Sequence, residues 1–249
     1  MFKPYFALLS SSFKEDLYDN FVKDERWRYF AKGLLATLEI AFFAALIGIA
    51  IGTVVAAVRS TYDKNREAMA FHKGPGYYLF GFFNLLCKIY LAVIRGTPVV
   101  VQLMIMYFVI MVSTTNGVLV AIIAFGINSG AYVAEIMRAG IMSIDNGQFE
   151  AGRSLGFTYP QTMIHIVLPQ AFKNVLPTLL NEFIALLKET SVAGYVGIMD
   201  LTRSGNIVRG VTFSAFIPLI AVAFIYLIIV LLLTWAVGRI ERRLRVSER

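Results

Sequence analysis

The stretch from Glu150 to Pro169, EAGRSLGFTYPQTMIHIVLP, decides how this chain is built, because it is a polar helical insert in an otherwise strongly apolar sequence. Asp145 with Gln148 three residues on reads as a helix N-cap, and Glu150 is placed in the first turn, where the amide dipole favours negative charge. Gly156 supplies the left-handed residue that ends such a helix after about two to three turns. Thr158 and Gln161 form a second capping pair with Pro160 tolerated in the first turn, opening another helix toward Pro169. A helix, a glycine corner and a second helix make a compact knob suited to a partner's groove.

Outward from the insert, composition points to the membrane. The 249 residues are 58% hydrophobic and 16% charged, with a mean hydropathy of +0.69. A net charge of +7 raises the question of nucleic acid, but the basic residues bracket apolar spans and are not interleaved with a stacking surface, so no nucleic-acid partner is expected. The single cysteine, Cys87, reads as a small apolar packing residue.

Residues 34–58 are apolar for about 25 residues, enough to cross a hydrocarbon core of roughly 30 Å. Within them Gly48 and Gly52 form a small-residue seam for close helix packing. A charged connector, 59–76, ends at Gly74-Pro75-Gly76, and apolar sequence resumes over 77–112, interrupted by Arg95, Gly96, Thr97 and Pro98. One long span kinked at Pro98 is preferred over a pair of short spans, because the outward turn that two spans need is missing. Residues 118–137 are a third span with small residues along one face. A fourth is expected over 178–199 after Pro177, then a polar loop over 200–213, and a last span over 214–237 ended by Gly238 and Arg239. The fold expected is all-α, with about five transmembrane helices and a helix-turn-helix insert.

The organisation expected is an N-terminal interfacial segment at 1–33, a transmembrane domain at 34–240 holding the insert at about 139–176, and a basic tail at 241–249. Trp27 and Tyr29 read as headgroup anchors in the first segment, the alternative being an ordinary surface-lying extension. That segment shows no short apolar run followed by a small-residue cleavage site, so no removed signal peptide is expected and the first span directs insertion. Five crossings put connector, insert and tail on one side with Arg59, Lys64, Arg66, Lys73, Arg138, Arg153, Lys173 and the tail arginines. The positive-inside rule makes that side cytoplasmic.

Glu150, Ala151, Gly156, Ile166, Leu168 and Pro169, in this order and spacing, resemble the EAA loop of permease subunits in bacterial ABC importers, with Gly152 at the usual alanine of the third position. YLAVIRGTPVVVQ (Tyr90 to Gln102), NSGAYVAEIMRAG (Asn128 to Gly140) and NEFIALLKETS (Asn181 to Ser191) are similar to the polar amino-acid branch of that family. The resemblance implies a type I importer fold in the bacterial inner membrane, and makes Glu150, Ala151, Gly152, Arg153, Ser154, Leu155 and Gly156 the coupling segment held in a cleft of the ATP-hydrolysing subunit. It also implies the partners: two ATPase subunits, a second permease copy or paralogue, an extracytoplasmic amino-acid-binding protein and membrane lipid. No cofactor is expected on this chain, ATP and Mg being used by the ATPase.

Chemistry within the chain is sparse. GxxxxGK[ST] and GxSxG are absent, and His72 and His165 are isolated, so neither an enzyme nor a metal site is expected. Lys188, about ten residues into the expected fourth span, and Asn128 in the third fall at membrane depth, where a lysine needs a wet cavity or a partner. Two readings stand. Lys188 and Asn128 face a polar chamber and meet a substrate carboxylate while Glu189, Thr190 or Ser191 meets the ammonium or side chain, or Lys188 forms an ion pair with Glu189 or Glu135 that orients helices. Glu182 and Glu189, seven residues apart, share a helical face. Arg95, Gly96, Thr97 and Pro98 match an RGTP motif of the family and read as a hinge or gate, or as a purely structural kink. Gln102 reads as a helix–helix hydrogen bond, and Glu135 with Arg138 as an intrahelical ion pair. The rival function, an ion-gradient-driven secondary carrier, leaves the Glu150 insert without a purpose.

Overall fold

The computed structural model describes residues 13–71 and 74–246, and within them the chain is helical almost throughout, with no strand. The expectations for His72, Lys73, Arg249 and the aromatics before Phe13 lie outside the described residues.

Helix α1, Trp27–Phe71, is 45 residues long, about 67 Å at 1.5 Å per residue. The expected charged connector is therefore not a loop. From Arg59 to Phe71 there is neither glycine nor proline, and with several good helix formers nothing stops the helix when the sequence turns polar. Before α1, a π turn at Tyr18–Val22 and a short turn at Lys23–Glu25 fold back on the rest of the chain. There the Thr212 hydroxyl donates to Asn20 Oδ1 at 2.9 Å and the Phe21 ring packs on Phe30. Trp27 and Tyr29 are exposed, as headgroup anchors would be.

Helix α2, Pro75–Gly96, opens with Gly74 extended and proline in its first turn. It stops at Gly96, and α3, Val99–Ile105, continues as a π turn over Met106–Ile110. The expected kink is a full interruption. Thr97 and Pro98 are both extended (ψ 146° and 136°), because proline pushes the residue before it out of the helical region.

Helix α4, Gly117–Met142, is capped by the Asn116 side chain, which accepts from Leu119 N–H at 3.1 Å. It is the hub. Of its most apolar window 67% is buried, against 11% for α2 and 17% for the last helix, whose apolar outer faces fit lipid or another subunit. α1 and α4 run side by side through the small residues that each was expected to offer for close packing. A Cβ added at Gly48 would lie 2.9 Å from Ser129 Oγ, at Gly52 2.5 Å from Val133, and at Gly126 2.7 Å from Ile47.

The insert contains α5, Asn146–Ser154, and α6, Tyr159–Thr162, followed by a π turn at Met163–Val167 and then α7, Leu168–Glu189. α7 begins ten residues before the expected fourth span, runs through Pro177, and ends ten residues early at a tight turn over Thr190–Val196 with Gly197 left-handed (φ 88°). The expected polar loop 200–213 is mostly helix α8, Leu201–Thr212, whose buried residues Leu201, Ser204, Gly205 and Val208 recur at helical spacing. Helix α9, Phe216–Val246, continues past Gly238. Among the described residues four helices are long and apolar enough to cross a membrane: α1, α2, α4 and α9. α7 runs beside α4 and has the length, but Lys173, Glu182, Lys188 and Glu189 make this helix, at the place of the expected fourth crossing, amphipathic.

Candidate functional site

The insert is assembled as its sequence dictates. Asp145 Oδ1 accepts from Gly147 N–H at 2.6 Å and caps α5. Gly156 (φ 79°) turns the corner, and the Phe157 N–H returns to Gly152 O at 3.0 Å. Gln161 Oε1 accepts from Thr158 N–H at 2.8 Å, the second half of the expected capping pair. The Phe149 and Tyr159 rings stack 6.1 Å apart between the two helices, over a core of Ile141, Ile144, Val167 and Ala171.

One detail differs from the sequence reading. α5 starts at Asn146 and has no acidic residue in its first turn, so Glu150 is one turn too far along to cap the dipole. Glu150 instead stands exposed on the outside with Ala151, Arg153, Ser154, Leu155 and Gly156, while Gly152 is buried against Thr162. The reason for glycine at that position is contact distance: a Cβ there would lie 2.5 Å from Thr162 Oγ1 and 2.6 Å from Thr162 Cγ2. The polar end of α1 also reaches the knob. Lys64 Nζ donates to Asn146 Oδ1 at 2.7 Å and lies 4.6 Å from the centre of the Phe149 ring.

At the depth of the Thr97–Pro98 interruption, polar side chains replace lost backbone bonds. Gln102 Nε2 lies within hydrogen-bond reach of Ile94 O (2.7 Å), Thr97 O (3.0 Å) and Thr97 Oγ1 (2.8 Å), and Gln102 Oε1 accepts from Asn128 Nδ2 at 2.9 Å. The helix–helix role read for Gln102 is thus present. Asn128 is 2% exposed and its amide is engaged there, while Lys188 is exposed at the far end of α7, so the expected Asn128–Lys188 chamber does not form within this subunit.

Of the alternative ion pairs for Lys188 none closes within 4 Å, and Glu189 is the carboxylate that feels its charge. Glu135 is surrounded by Arg59 (3.8 Å), Arg95 (3.8 Å) and Arg138 (3.7 Å), and Arg138 also meets Asp63 at 3.5 Å. The expected Glu135–Arg138 pair is one contact of a larger cluster. It joins α1, the end of α2 and α4. Gly96, Thr97 and Pro98 are exposed beside it.

Thr190 is buried and its hydroxyl donates to Leu187 O at 2.8 Å, Glu189 is half-buried, and Ser191 lines a cavity with residues of α8. The carboxylate that does sit at mid-bundle is Glu182, half-buried, with Oε1 3.4 Å from the Ser129 hydroxyl at the middle of α4. Misplacing the start of α7 hid it. Counted from Leu168, Glu182 is about 21 Å along the helix, and Lys188 is near its end.

A bundle of long apolar helices, broken at depth by polar side chains and carrying an exposed two-helix knob, defines a membrane transport component. Residues 68–246 match the model of the binding-protein-dependent transport system inner membrane component, and the chain belongs to that family. It is 36% identical over 222 residues (88% of this chain, 94% of the relative) to a putative glutamine transport system permease protein of Rickettsia bellii. To the arginine transport system permease protein of Bacillus subtilis it is 35% identical over 224 residues, 88% of this chain and 94% of the relative. Among solved structures, one described as the crystal structure of an amino acid ABC transporter with histidines superposes with a TM-score of 0.74 at 38% identity, covering 87% of this chain and 94% of that one.

Proposed function

We propose that this chain is the permease subunit of an ATP-driven importer for a polar or charged amino acid. It forms the alternating-access pathway with a second copy or a paralogue, receives substrate from an extracytoplasmic binding protein, and couples to two ATPase subunits through Glu150–Gly156. The observation that carries this reading is the knob: six of those seven residues face outward from a braced two-helix element that continues directly into α7. α7 carries Glu182 and Glu189 and leads into the turn that holds Thr190 and Ser191, so a push on the knob is delivered along one helical rod to these polar groups.

ATP binding on the partner acts by favouring one conformer differentially, which is the only way a ligand moves such an equilibrium. Hydrolysis, with its ATP and Mg, belongs to that partner, and this chain itself performs no catalysis. The insert and the C-terminal end of α9 are cytoplasmic in this reading, on the side where lysines and arginines gather. Glu182 meets a cationic group of the substrate from the Ser129 side of the pathway, and Ser191 and Glu189 follow toward the opposite end.

Reconstitution of the chain with its ATPase and binding protein tests the proposal. Uptake of labelled arginine, glutamine, histidine, glutamate or cystine is expected only with ATP, and uptake that proceeds with nucleotide absent rejects it.

A further inference from the structure

At the end of the bundle away from the insert, the Thr190–Val196 turn and the start of α8 enclose a cavity of about 250 Å³, lined by Ser191, Gly194, Tyr195, Thr202, Arg203 and Asn206. The lining has one cation and no carboxylate. Arg203 is half-buried, and no described acid lies within 4 Å of its guanidinium. One of its N–H groups donates to Gly194 O at 3.0 Å, which leaves further donors of a five-donor fork unmatched by charge. Asp200, the nearest acid in sequence, accepts instead from the Arg203 main-chain N–H at 2.8 Å.

The surroundings hold this fork in place. A Cβ at Gly194 would lie 3.0 Å from Asp200 Oδ1 and 3.1 Å from Arg203 Cβ, so glycine lets the turn close onto α8. Leu201 N–H donates to Thr37 Oγ1 at 3.0 Å, tying the start of α8 to α1. A half-buried guanidinium with no counter-ion favours a carboxylate. The volume is below the roughly 300–1,000 Å³ of pockets that take drug-sized ligands, which suits one small zwitterion. The hydroxyls of Ser191 and Tyr195 and the Asn206 carbonyl are acceptors available to its ammonium, the Thr202 hydroxyl being engaged with Asp200.

We infer that this cavity is a receiving site for the transported amino acid, in which Arg203 holds the α-carboxylate before the molecule passes Ser191 toward Glu182. This rests on the amino-acid importer reading. A lipid phosphate offers the same chemistry to Arg203, and the experiment separates the two.

The full-length chain, with the subunits that co-purify with it, is placed in phosphatidylcholine nanodiscs and titrated by saturation-transfer NMR with L-arginine and L-glutamine and with the methyl ester of each. Expected is an affinity for the free acids about tenfold above that for the esters, lost in R203Q through weaker acid binding with ester binding unchanged, and partly kept in R203K. Equal loss for acid and ester in R203Q assigns Arg203 a structural role and overturns the inference, as does unchanged acid binding. Replacing part of the lipid with phosphatidylglycerol is expected to leave the preference intact, and its abolition assigns the site to a headgroup and overturns the inference too. ATP-driven uptake by the wild-type complex is measured alongside. Uptake without acid–ester discrimination rejects the receiving site alone, and no uptake of any amino acid rejects the importer reading and this site with it.

Discussion

The chain interrupts its helices at two places that solve the same problem differently. At Gly156 the corner is locked by backbone: a left-handed glycine, a return bond to Gly152, a capping pair at Thr158 and stacked Phe149 and Tyr159 rings. At Thr97–Pro98 the interruption is held by side chains, with Gln102 bonded to the last turn of α2 and to Asn128 on α4. The charges nearby are held by ion pairs of 3.5–3.8 Å, longer than hydrogen-bonded ones, around Glu135 and Asp63. A backbone lock transmits force as a rigid body, while side-chain bonds between separate helices can be exchanged for others when the helices move. The insert is built to be pushed, and the mid-bundle break is built to give.

The sharpest way to break this contrast is Gly156→Val. A β-branched residue at φ 79° carries strain of about 1–3 kcal/mol, localised at the corner of the proposed coupling segment. Uptake is expected to fall more than about tenfold, with normal membrane insertion, as read by transport assays beside protein levels in the membrane. Wild-type uptake by this variant contradicts the rigid-lever account.

Next in size is Gln102→Leu, which removes the donor that serves Ile94 and Thr97 and the acceptor for Asn128. Leaving the buried Asn128 amide unmatched costs about 1–3 kcal/mol, so a drop in detergent melting temperature is expected together with several-fold slower uptake. If Gln102→Leu slows transport without lowering stability, the break is a moving part and not a structural seam.

Glu135→Gln follows. Removing the shared counter-charge leaves Arg59, Arg95 and Arg138 facing one another with Asp63 alone, and a smaller loss of uptake is expected that high salt partly relieves. Salt-independent behaviour of this variant in the uptake assay contradicts an electrostatic role for the cluster.

The smallest expected effect concerns pH. Asp200, fully buried and capping α8 outside the spanning helices, has its carboxyl pushed up to about 6 from an ordinary 3.8, chiefly by burial and against the main-chain hydrogen bonds that favour its charge. An acid raised in the folded state makes that state bind more protons between these two values, so stability falls as pH rises through the window from about 4 to 6. Melting curves of the purified chain are expected to shift down by a few degrees from pH 5 to pH 7, and Asp200→Asn is expected to flatten that slope. A slope unchanged in Asp200→Asn places the titration elsewhere.

The sequence alone determined a good deal. The helical class, the apolar spans, the small-residue seam of Gly48 and Gly52, the corner at Gly156 and the capping pair all follow from rules that act within a few residues: glycine's freedom at positive φ, side-chain oxygens meeting N–H groups three residues away, and apolar length against membrane thickness. The tertiary structure alone decided where helices continue once polar residues begin. α1 runs on past Arg59, where no glycine or proline stops it, and Arg59, Asp63 and Lys64 find partners on α4 and the insert, while α8 forms because Leu201 and Val208 bury against Phe30 and Val222. Only the packed bundle could also move mid-depth from Lys188 to Glu182 and set Arg203 in a cavity without a counter-ion. The physical reason is the same in each case: whether a polar side chain ends a helix, pairs with a neighbour or waits for a ligand depends on what another helix, distant in sequence, places within a few ångströms of it.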